Sequence, residues 1–460
     1  MKEQLKINYE ALVQPDRVHG SLYTTPEVFE DEMDRIFHRG WVYVGHSGEI
    51  PEPGDYRLKR IGRMPIIMVR DQEGQVRLLL NRCRHRGATV CQGERGNTRS
   101  FRCGYHGWTY KTNGELAGVP YPDAYDESFR REELGLTPVP RMGNHRGFIF
   151  GSLSPTGISL DEHLGRAKEQ LDMFMALSDE GNLDVRAGAH KYNFKGNWKL
   201  GIENAMDGYH PNVVHESFVQ MLKDRIAKAG YSMFSMDSFS GNSDSITIDL
   251  GGGHVMLEYG MRMYDPLNGD PMPEVRTTTP RGEAYMAELE RRMGRHRAED
   301  VVREGGTHIL VFPNLVLIGT HMRVFTPVSV DYTETCLYPT LLKWVTPEVN
   351  AVRLRAHEAF FGSASMGGPD DSEIFERVQI GLRCDLEPWL LISRGIERER
   401  HQPDGTVIGQ MTYEVTQRAI WRQWKKVMTQ DLGGPRLRKT AGTVAAGVGR
   451  RGWHHGRQPA

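Results

Sequence analysis

The chain has 460 residues, of which 38% are hydrophobic and 25% are charged, a balance typical of globular proteins with about two domains. Lysine and arginine number 58 against 59 acidic residues, so the formal net charge of −1 favours neither nucleic acid nor an anionic membrane as a partner. No apolar run reaches the roughly 20 residues that span a bilayer, and no secretory signal follows Met1. We therefore expect a cytoplasmic protein.

The first predicted elements are a helix and then a series of strands. Thr25 and Pro26 have the features of a helix start, and the apolar spacing predicts a helix through Phe37. From residue 41 to residue 153, short β-rich runs alternate with Gly and Pro turns, which indicates a small all-β domain. The predicted strands there are Trp41–Val44, Ile66–Val69, Val76–Leu80 and Gly147–Phe150.

Helical periodicity returns after residue 153. Ser159 and Glu162 have the spacing of a capping box, and a helix is predicted to extend to Leu177. Residues 1–40 and 154–430 together are predicted to form an α+β domain, and residues 431–460 a flexible tail rich in Gly, Arg and Ala. Further helices are predicted at Gly282–Arg297, Pro347–Phe361, Asp371–Leu382 and Met411–Met428, and strands at Ser245–Leu250, Ile309–Phe312, Leu315–Ile318 and Leu337–Lys343.

Two half-motifs, separated by 17 residues, each pair one cysteine with one histidine. They are Cys83-Arg84-His85 and Cys103-Gly104-Tyr105-His106. Two thiolates on one iron and two imidazoles on the other are the ligands of a Rieske [2Fe–2S] cluster. The alternative is a structural zinc site, although zinc fingers usually pair cysteine with cysteine and histidine with histidine.

The other cysteines do not extend this site. Five cysteines are too few and too odd in number for a disulfide framework. Cys91 lies between the half-motifs but outside both, and we expect it to be a small buried side chain.

A second candidate metal site contains two histidines five residues apart. On a regular helix this offset turns the side chains of His210 and His215 about 140° from each other. Pro211 implies a bend that could bring the rings together. Two histidines and one carboxylate are the ligands of non-haem iron oxygenases. By itself the pair is a weak signal, because about 0.7 such pairs are expected by chance in this sequence.

Both sites together resemble one family. The loops Cys83–Gly87 and Cys103–Trp108 closely resemble the cluster loops of the large (alpha) subunits of Rieske non-haem iron aromatic-ring-hydroxylating dioxygenases. The segment Asn193–His215, with Asp207-x-Tyr209-His210, is similar to the iron-binding segment of the same family. The resemblance implies an all-β Rieske domain and a helix-grip-like α+β catalytic domain with an antiparallel sheet.

The resemblance also implies a role for individual residues. The family's carboxylate ligand lies in an acidic pair after an aromatic-Gly stretch, and Asp371 matches it, with Asp370 as the alternative. Asp207 resembles the family's bridging acid, which contacts an iron histidine and, across a subunit boundary, a cluster histidine, here His106. The implied ligands are Cys83, His85, Cys103 and His106 for the cluster, and His210, His215 and Asp371 for mononuclear Fe(II).

The implied activity is that of a terminal oxygenase. It would use O2 and electrons from NAD(P)H, delivered by a reductase and usually a ferredoxin, to cis-dihydroxylate an aromatic ring. The resemblance further implies a trimer of this subunit, often with a beta subunit. A Rieske monooxygenase that hydroxylates or dealkylates its substrate shares every ligand and is the alternative. A Rieske protein that only carries electrons would need the first site alone and a far shorter chain.

The substrate is indicated only weakly. The version of the iron motif with Asn204 before Asp207 looks closer to enzymes for benzoate-like acids than to those for naphthalene or biphenyl. Asn204 and Arg323 are the candidate substrate residues, and Arg323 could bind a carboxylate through two hydrogen bonds. A structural ion pair is at least as good an interpretation of Arg323, because this strand also carries an arginine in the enzymes of the family that act on hydrocarbons.

Overall fold

Antiparallel pairing dominates this computed structural model, which describes residues 7–178, 183–228, 245–258, 280–305, 307–343, 345 and 347–431. The predicted tail lies outside these residues, apart from its first position. In chain order the strands are β1 (Arg17–His19), β2 (Val42–His46), β3 (Asp55–Ile61), β4 (Met64–Arg70), β5 (Val76–Leu80), β6 (Arg95–Asn97), β7 (Ser100–Arg102), β8 (Thr109–Lys111), β9 (Leu116–Gly118), β10 (Arg141–His145), β11 (Phe148–Ser152), β12 (His190–Phe194), β13 (Ile246–Gly251), β14 (His254–Glu258), β15 (His308–Val311), β16 (Leu315–Ile318), β17 (His321–Ser329), β18 (Tyr332–Pro339), β19 (Trp389–Leu391), β20 (Arg400–His401) and β21 (Val407–Gln410).

The helices surround these strands. They are α1 (Tyr9–Leu12), α2 (Ser21–Thr24), α3 (Pro26–Glu32), α4 (Leu160–Leu164), α5 (Ala167–Ala176), α6 (Trp198–Ala205), α7 (Pro211–Val214), α8 (Glu216–Lys228), α9 (Pro280–Met293), α10 (Arg295–Gly305), α11 (Pro347–Phe361), α12 (Gly367–Gly381) and α13 (Val415–Thr429). A stretch of π-helix, Met33–His38, continues α3, and short 3-10 turns lie at Ser47–Glu49, Pro122–Ala124, Arg131–Glu133 and Ile396–Arg398.

The largest sheet has nine strands in the order β12-β18-β17-β16-β15-β14-β13-β21-β20, and every neighbouring pair is antiparallel. Helix α13 packs on β13 and β14 and buries Trp421 and Trp424. A helix-grip-like α+β catalytic domain with an antiparallel sheet was predicted, and the α+β fold class is confirmed.

Smaller sheets form the segment that was predicted to be an all-β domain. They have the orders β5-β4-β3-β6, β7-β8-β9 and β10-β11-β2. A separate hydrophobic core, which includes Cys83, Cys103 and Trp108, lies among these strands. Residues of β2 and β11, in contrast, belong to the main core of the molecule. Because residues 1–430 form one compact unit, the division at residues 41–153 stays a prediction.

Two predicted helices are interrupted, and in both cases the break coincides with a glycine of positive φ. The helix predicted from Ser159 to Leu177 is divided between α4 and α5 at Gly165, where φ is 47°. The helix predicted at Gly282–Arg297 is divided between α9 and α10 at Gly294, where φ is 81°. Residues with a side chain rarely adopt such angles, so glycine ends a helix here at low cost.

Other predicted boundaries shift by a few residues. The capping box of Ser159 and Glu162 is present, whereas the side chain of Thr25 caps no N–H group of α3. Helix α12 begins four residues before Asp371. Strand β18 starts at Tyr332, directly after the turn from β17, so the strand predicted at Leu337–Lys343 is placed too late.

A buried carboxylate connects the N-terminal segment to the main core. Glu32 is fully buried, and its Oε1 accepts hydrogen bonds from Lys199 Nζ at 2.6 Å and from the Trp424 indole at 2.7 Å. Its Oε2 accepts from the Trp198 indole at 2.9 Å. One side chain thereby connects the end of α3 to α6 and to α13.

We expect Glu32→Ala to lower the free energy of unfolding by about 3–5 kcal/mol, because the Lys199 charge would stay buried without its partner. Urea denaturation followed by far-UV circular dichroism measures this loss. The double variant Glu32→Leu with Lys199→Met should recover only part of the stability, because it removes the buried charge but leaves the indole N–H groups of Trp198 and Trp424 without their acceptor. A loss below about 1 kcal/mol in Glu32→Ala would contradict this account.

Candidate metal centres

The two cluster loops share one backbone pattern. In the first loop the N–H of Gly87 donates to the carbonyl of Cys83 at 3.0 Å, and in the second the N–H of Gly107 donates to the carbonyl of Cys103 at 3.0 Å. Both glycines have positive φ, 77° and 70°. Each loop therefore makes the same tight turn after its cysteine, in a conformation that favours glycine.

The two loops bring the two predicted histidine ligands of the cluster together. Cys83 and Cys103 are buried, whereas His85 and His106 are half-buried and their ring centroids are 4.5 Å apart. Among the described residues, His85 Nδ1 has no hydrogen-bond partner. Buried cysteines and half-buried histidines suit a cluster in which one iron binds two thiolates and the other binds two imidazoles.

The same geometry disfavours the zinc alternative. A single zinc ion would require its four ligand atoms to lie around one point, about 2.0–2.3 Å from it. In the part of the chain that the structure describes, only His210, His215 and Asp371 bring three possible ligand atoms within 4.8 Å of one another. The two cysteines and two histidines of the loops are thus spread wider than one ion requires.

Neighbouring side chains that the sequence did not single out support the first loop. The Tyr110 hydroxyl lies 3.2 Å from Cys83 Sγ and accepts a hydrogen bond from the Arg84 N–H. Buried Asn81 accepts from the N–H of Cys91 and donates to its carbonyl. Cys91 is itself buried, and its thiol lies 3.6 Å from the Gly93 carbonyl.

Two imidazoles lie at the two ends of one helical turn. His210 and His215 flank the one-turn helix α7, and Pro211 is its first residue. Their ring centroids are 5.4 Å apart, with an interplanar angle of 76°. The turn between them is helical, since the His215 N–H donates to the Pro211 carbonyl at 3.1 Å, and Pro211 occupies the first helical position, where proline is favoured. The bend predicted from Pro211 therefore does not lie between the two histidines, and their rings approach each other from the two ends of this turn.

Asp371 supplies the third donor from the far end of the chain. Its Oδ1 lies 3.7 Å from His210 Nε2 and 3.3 Å from His215 Nε2. Burial favours the neutral acid, but His215, His210 and Arg323 together lower the pKa of Asp371. A buried, ionised carboxylate beside two imidazoles is the donor set that non-haem Fe(II) requires.

Two further acids lie on the outer side of the imidazoles. Asp207 Oδ2 is 3.5 Å from His210 Nδ1, and Asp370 Oδ2 is 3.6 Å from His215 Nδ1. The Nε2 atoms therefore face Asp371 while the Nδ1 atoms face the outer acids. Asp370, the alternative ligand, lies outside the group of three donors, and its contact with His215 was not predicted.

The two candidate substrate residues lie in different environments. The Asn204 amide nitrogen is 3.3 Å from His210 Nε2 and 3.2 Å from Asp371 Oδ1, directly beside the metal donors. Arg323 is only 3% exposed, and its guanidinium lies 5.2 Å from the centre of the Phe361 ring. No carboxylate of the described residues forms the ion pair that was the alternative interpretation of Arg323.

Comparison with known families agrees with both sites. The model of the Rieske [2Fe-2S] domain matches residues 40–137, and that of the ring hydroxylating alpha subunit (catalytic domain) matches residues 182–420, more than half of the chain. This chain belongs to the ring-hydroxylating alpha subunits. As a member of this dioxygenase family it is an oxidoreductase that uses a Rieske cluster and a mononuclear iron.

Curated relatives of this alpha subunit include the 2-halobenzoate 1,2-dioxygenase large subunit of Burkholderia cepacia, 36% identical over 85% of this chain and 84% of the relative. The toluate 1,2-dioxygenase subunit alpha of Pseudomonas putida is 34% identical over 83% and 84%. Naphthalene 1,2-dioxygenase from Rhodococcus sp., solved with bound indole, has the same fold with a TM-score of 0.77 and 30% identity, and the match covers 90% of this chain and 94% of that one.

Each helix in the described residues is too short or too polar to cross a bilayer.

We expect the purified alpha subunit to contain acid-labile sulfide and about three irons per chain, about two of them in the cluster. The reason is that the loop residues and the group His210, His215 and Asp371 form separate donor sets. Metal analysis measures the iron content, and the visible absorption spectrum shows whether the cluster is present. Zinc in place of iron, without cluster absorption, would show that the donor sets have been misinterpreted.

Proposed function

We propose that this alpha subunit cis-dihydroxylates the ring of an aromatic acid of the benzoate type. The observation that carries the proposal is buried Arg323, whose positive charge acts on Asp371 and has no carboxylate partner among the described residues. Two relatives are named for 2-halobenzoate and for toluate, which are aromatic acids. A carboxylate on the substrate would supply the missing partner of Arg323.

The proposed site residues belong to two metal centres. Cys83, His85, Cys103 and His106 would hold the cluster, and His210, His215 and Asp371 would hold Fe(II) on one face. When bound, the cluster supplies electrons and the iron supplies open positions for O2. Asp207 and Asp370 would face Nδ1 of His210 and of His215, at 3.5 Å and 3.6 Å, and orient both rings with Nε2 towards the metal. Asn204 and Arg323 would position the substrate.

The electrons must come from other proteins. We propose NAD(P)H as their source, with a reductase and usually a ferredoxin as carriers, and a trimer of this subunit, with or without a beta subunit, as the working assembly. Asp207 would then join His210 to His106 of the neighbouring subunit. The 30% exposure of its carboxylate leaves room for that second contact. A cytoplasmic location stays a prediction.

The activity is tested with labelled oxygen. Protein supplied with reductase, ferredoxin, NADH and 18O2 should convert benzoate into a dihydrodiol that carries both labelled atoms. A product with one labelled atom would indicate the monooxygenase alternative. No oxidised product from any aromatic acid, with intact cluster and iron, would contradict the proposed substrate class.

For the bridging role, we expect Asp207→Ala to keep the cluster spectrum and most of the mononuclear iron, because every proposed ligand remains. Asp370→Ala is the matched control, since it removes the equivalent acid from His215. Loss of an acid that only orients a ligand costs about 10–100-fold in metal affinity or activity. Turnover should fall within that range in Asp370→Ala and well beyond it in Asp207→Ala.

Single-turnover oxidation of the reduced cluster, with substrate and O2 present, measures directly how fast the cluster passes its electron to the iron site. Cluster oxidation should slow strongly in Asp207→Ala alone. If both variants oxidise at the wild-type rate and form product, Asp207 only orients His210.

A further inference from the structure

Helix α11 places one histidine against the start of β17. The guanidinium of Arg353 donates to the carbonyls of Gly319 at 2.7 Å and Thr340 at 3.3 Å, which fixes α11 beside the turn between β16 and β17. Residues four apart lie on the same face of a helix. His357 therefore faces His321, and the two ring centroids are 4.7 Å apart.

Three buried polar side chains in this region have nitrogen atoms without a hydrogen-bond partner among the described residues. His357 is 0% exposed, and neither of its ring nitrogens has a hydrogen-bond partner among the described residues. His321 is fully buried, with Nε2 unpartnered and Nδ1 3.4 Å from the Thr320 hydroxyl. Arg323 Nε is unpartnered as well. Buried polar groups are nearly always hydrogen-bonded, so three such groups together indicate a missing partner.

The charges of the group formed by His321, Arg323 and His357 favour an anion as the missing partner. Arg323 stays protonated even when buried. Burial, His190 and Arg323 lower the pKa of His357 to about 3, and burial, His357 and Arg323 hold the pKa of His321 well below its usual value. Both imidazoles are therefore uncharged at neutral pH, and each keeps one N–H to donate. The group offers one permanent cation and two neutral donors.

Aromatic side chains connect the group to the metal centre. The Phe361 ring lies 4.5 Å from the His321 ring and 5.2 Å from the Arg323 guanidinium. The adjacent Phe360 ring is 4.6 Å from Phe361 and 4.9 Å from the His215 ring. The rings of Phe361 and Phe360 thus form a continuous line of contacts between the donor group and His215.

We propose that His321 and His357 join Arg323 in a carboxylate-binding subsite of the substrate pocket. Arg323 binds one edge of the carboxylate, and the two imidazoles donate N–H groups to the oxygens it leaves free. The two histidines are then specificity-determining residues, which favour the binding of aromatic acids over the binding of uncharged aromatic compounds. This inference rests on the proposed function, because it gives the aromatic acid its anchor.

The test is equilibrium dialysis of the full-length holoprotein with benzoate and, separately, with toluene in sealed cells. The measured quantity is the ratio of the toluene Kd to the benzoate Kd. This ratio should fall about tenfold or more in His357→Phe, which keeps a ring but removes the donor of a charge-assisted hydrogen bond. His357→Asn should recover part of the ratio, since its amide donates again.

His190→Phe is the matched control. Its ring is 5.1 Å from that of His357, and no ring contact joins it to Phe361 among the described residues. The ratio should stay at the wild-type value in this variant. A fall as large as in His357→Phe would mean that packing around His357 sets the ratio, and it would overturn the subsite.

An unchanged ratio in His357→Phe, or equal losses for benzoate and toluene, also overturns the subsite. If that variant does not fold, His321→Phe makes the same test. If neither folds, the wild-type protein decides, because benzoate bound no more tightly than toluene overturns the subsite. Failure of the proposed function is distinct, since wild-type protein would then form no dihydrodiol from aromatic acids, whatever the ratio.

Discussion

The buried ion pair of Glu32 and Lys199 is the constraint on which the position of the iron site depends. Lys199 lies in the first turn of α6, and the loop after this helix carries Asp207 and His210. Because Glu32 also binds two indole groups, a displacement of α6 would leave several buried polar atoms without partners. The metal donors are therefore held by a network whose members lie outside the site itself.

The cluster was predictable from sequence to a far greater extent than the iron site. Its four ligands lie in two short loops, so local spacing alone indicates both the ligand types and the number of centres. The spacing of His210 and His215 argues against a shared ion on a regular helix, and Asp371 is more than 150 residues further along the chain. Only the family resemblance joined these three, because their contact results from tertiary packing.

Contacts made by long-range packing were not predictable at all. Tyr110, Asn81 and the outer position of Asp370 carry no sequence signal, since each depends on which loop the fold brings beside it. The helix breaks at Gly165 and Gly294 show the same limit at local scale. Apolar periodicity continues across both glycines, so it predicts a single helix in each case. Only the backbone angle at the glycine shows that the chain forms two helices there.

The acids around the iron site bear on how an anionic substrate could bind there. Asp371, Asp207 and Asp370 place three carboxylates within contact distance of the two histidines. When bound, Fe(II) would offset part of this charge, but the outer acids would still oppose a further anion, because like charges in a partly buried site interact strongly. In the proposed function, Arg323 would offset that repulsion and bind the substrate carboxylate. Its burial without an ion pair to a carboxylate among the described residues supports this role.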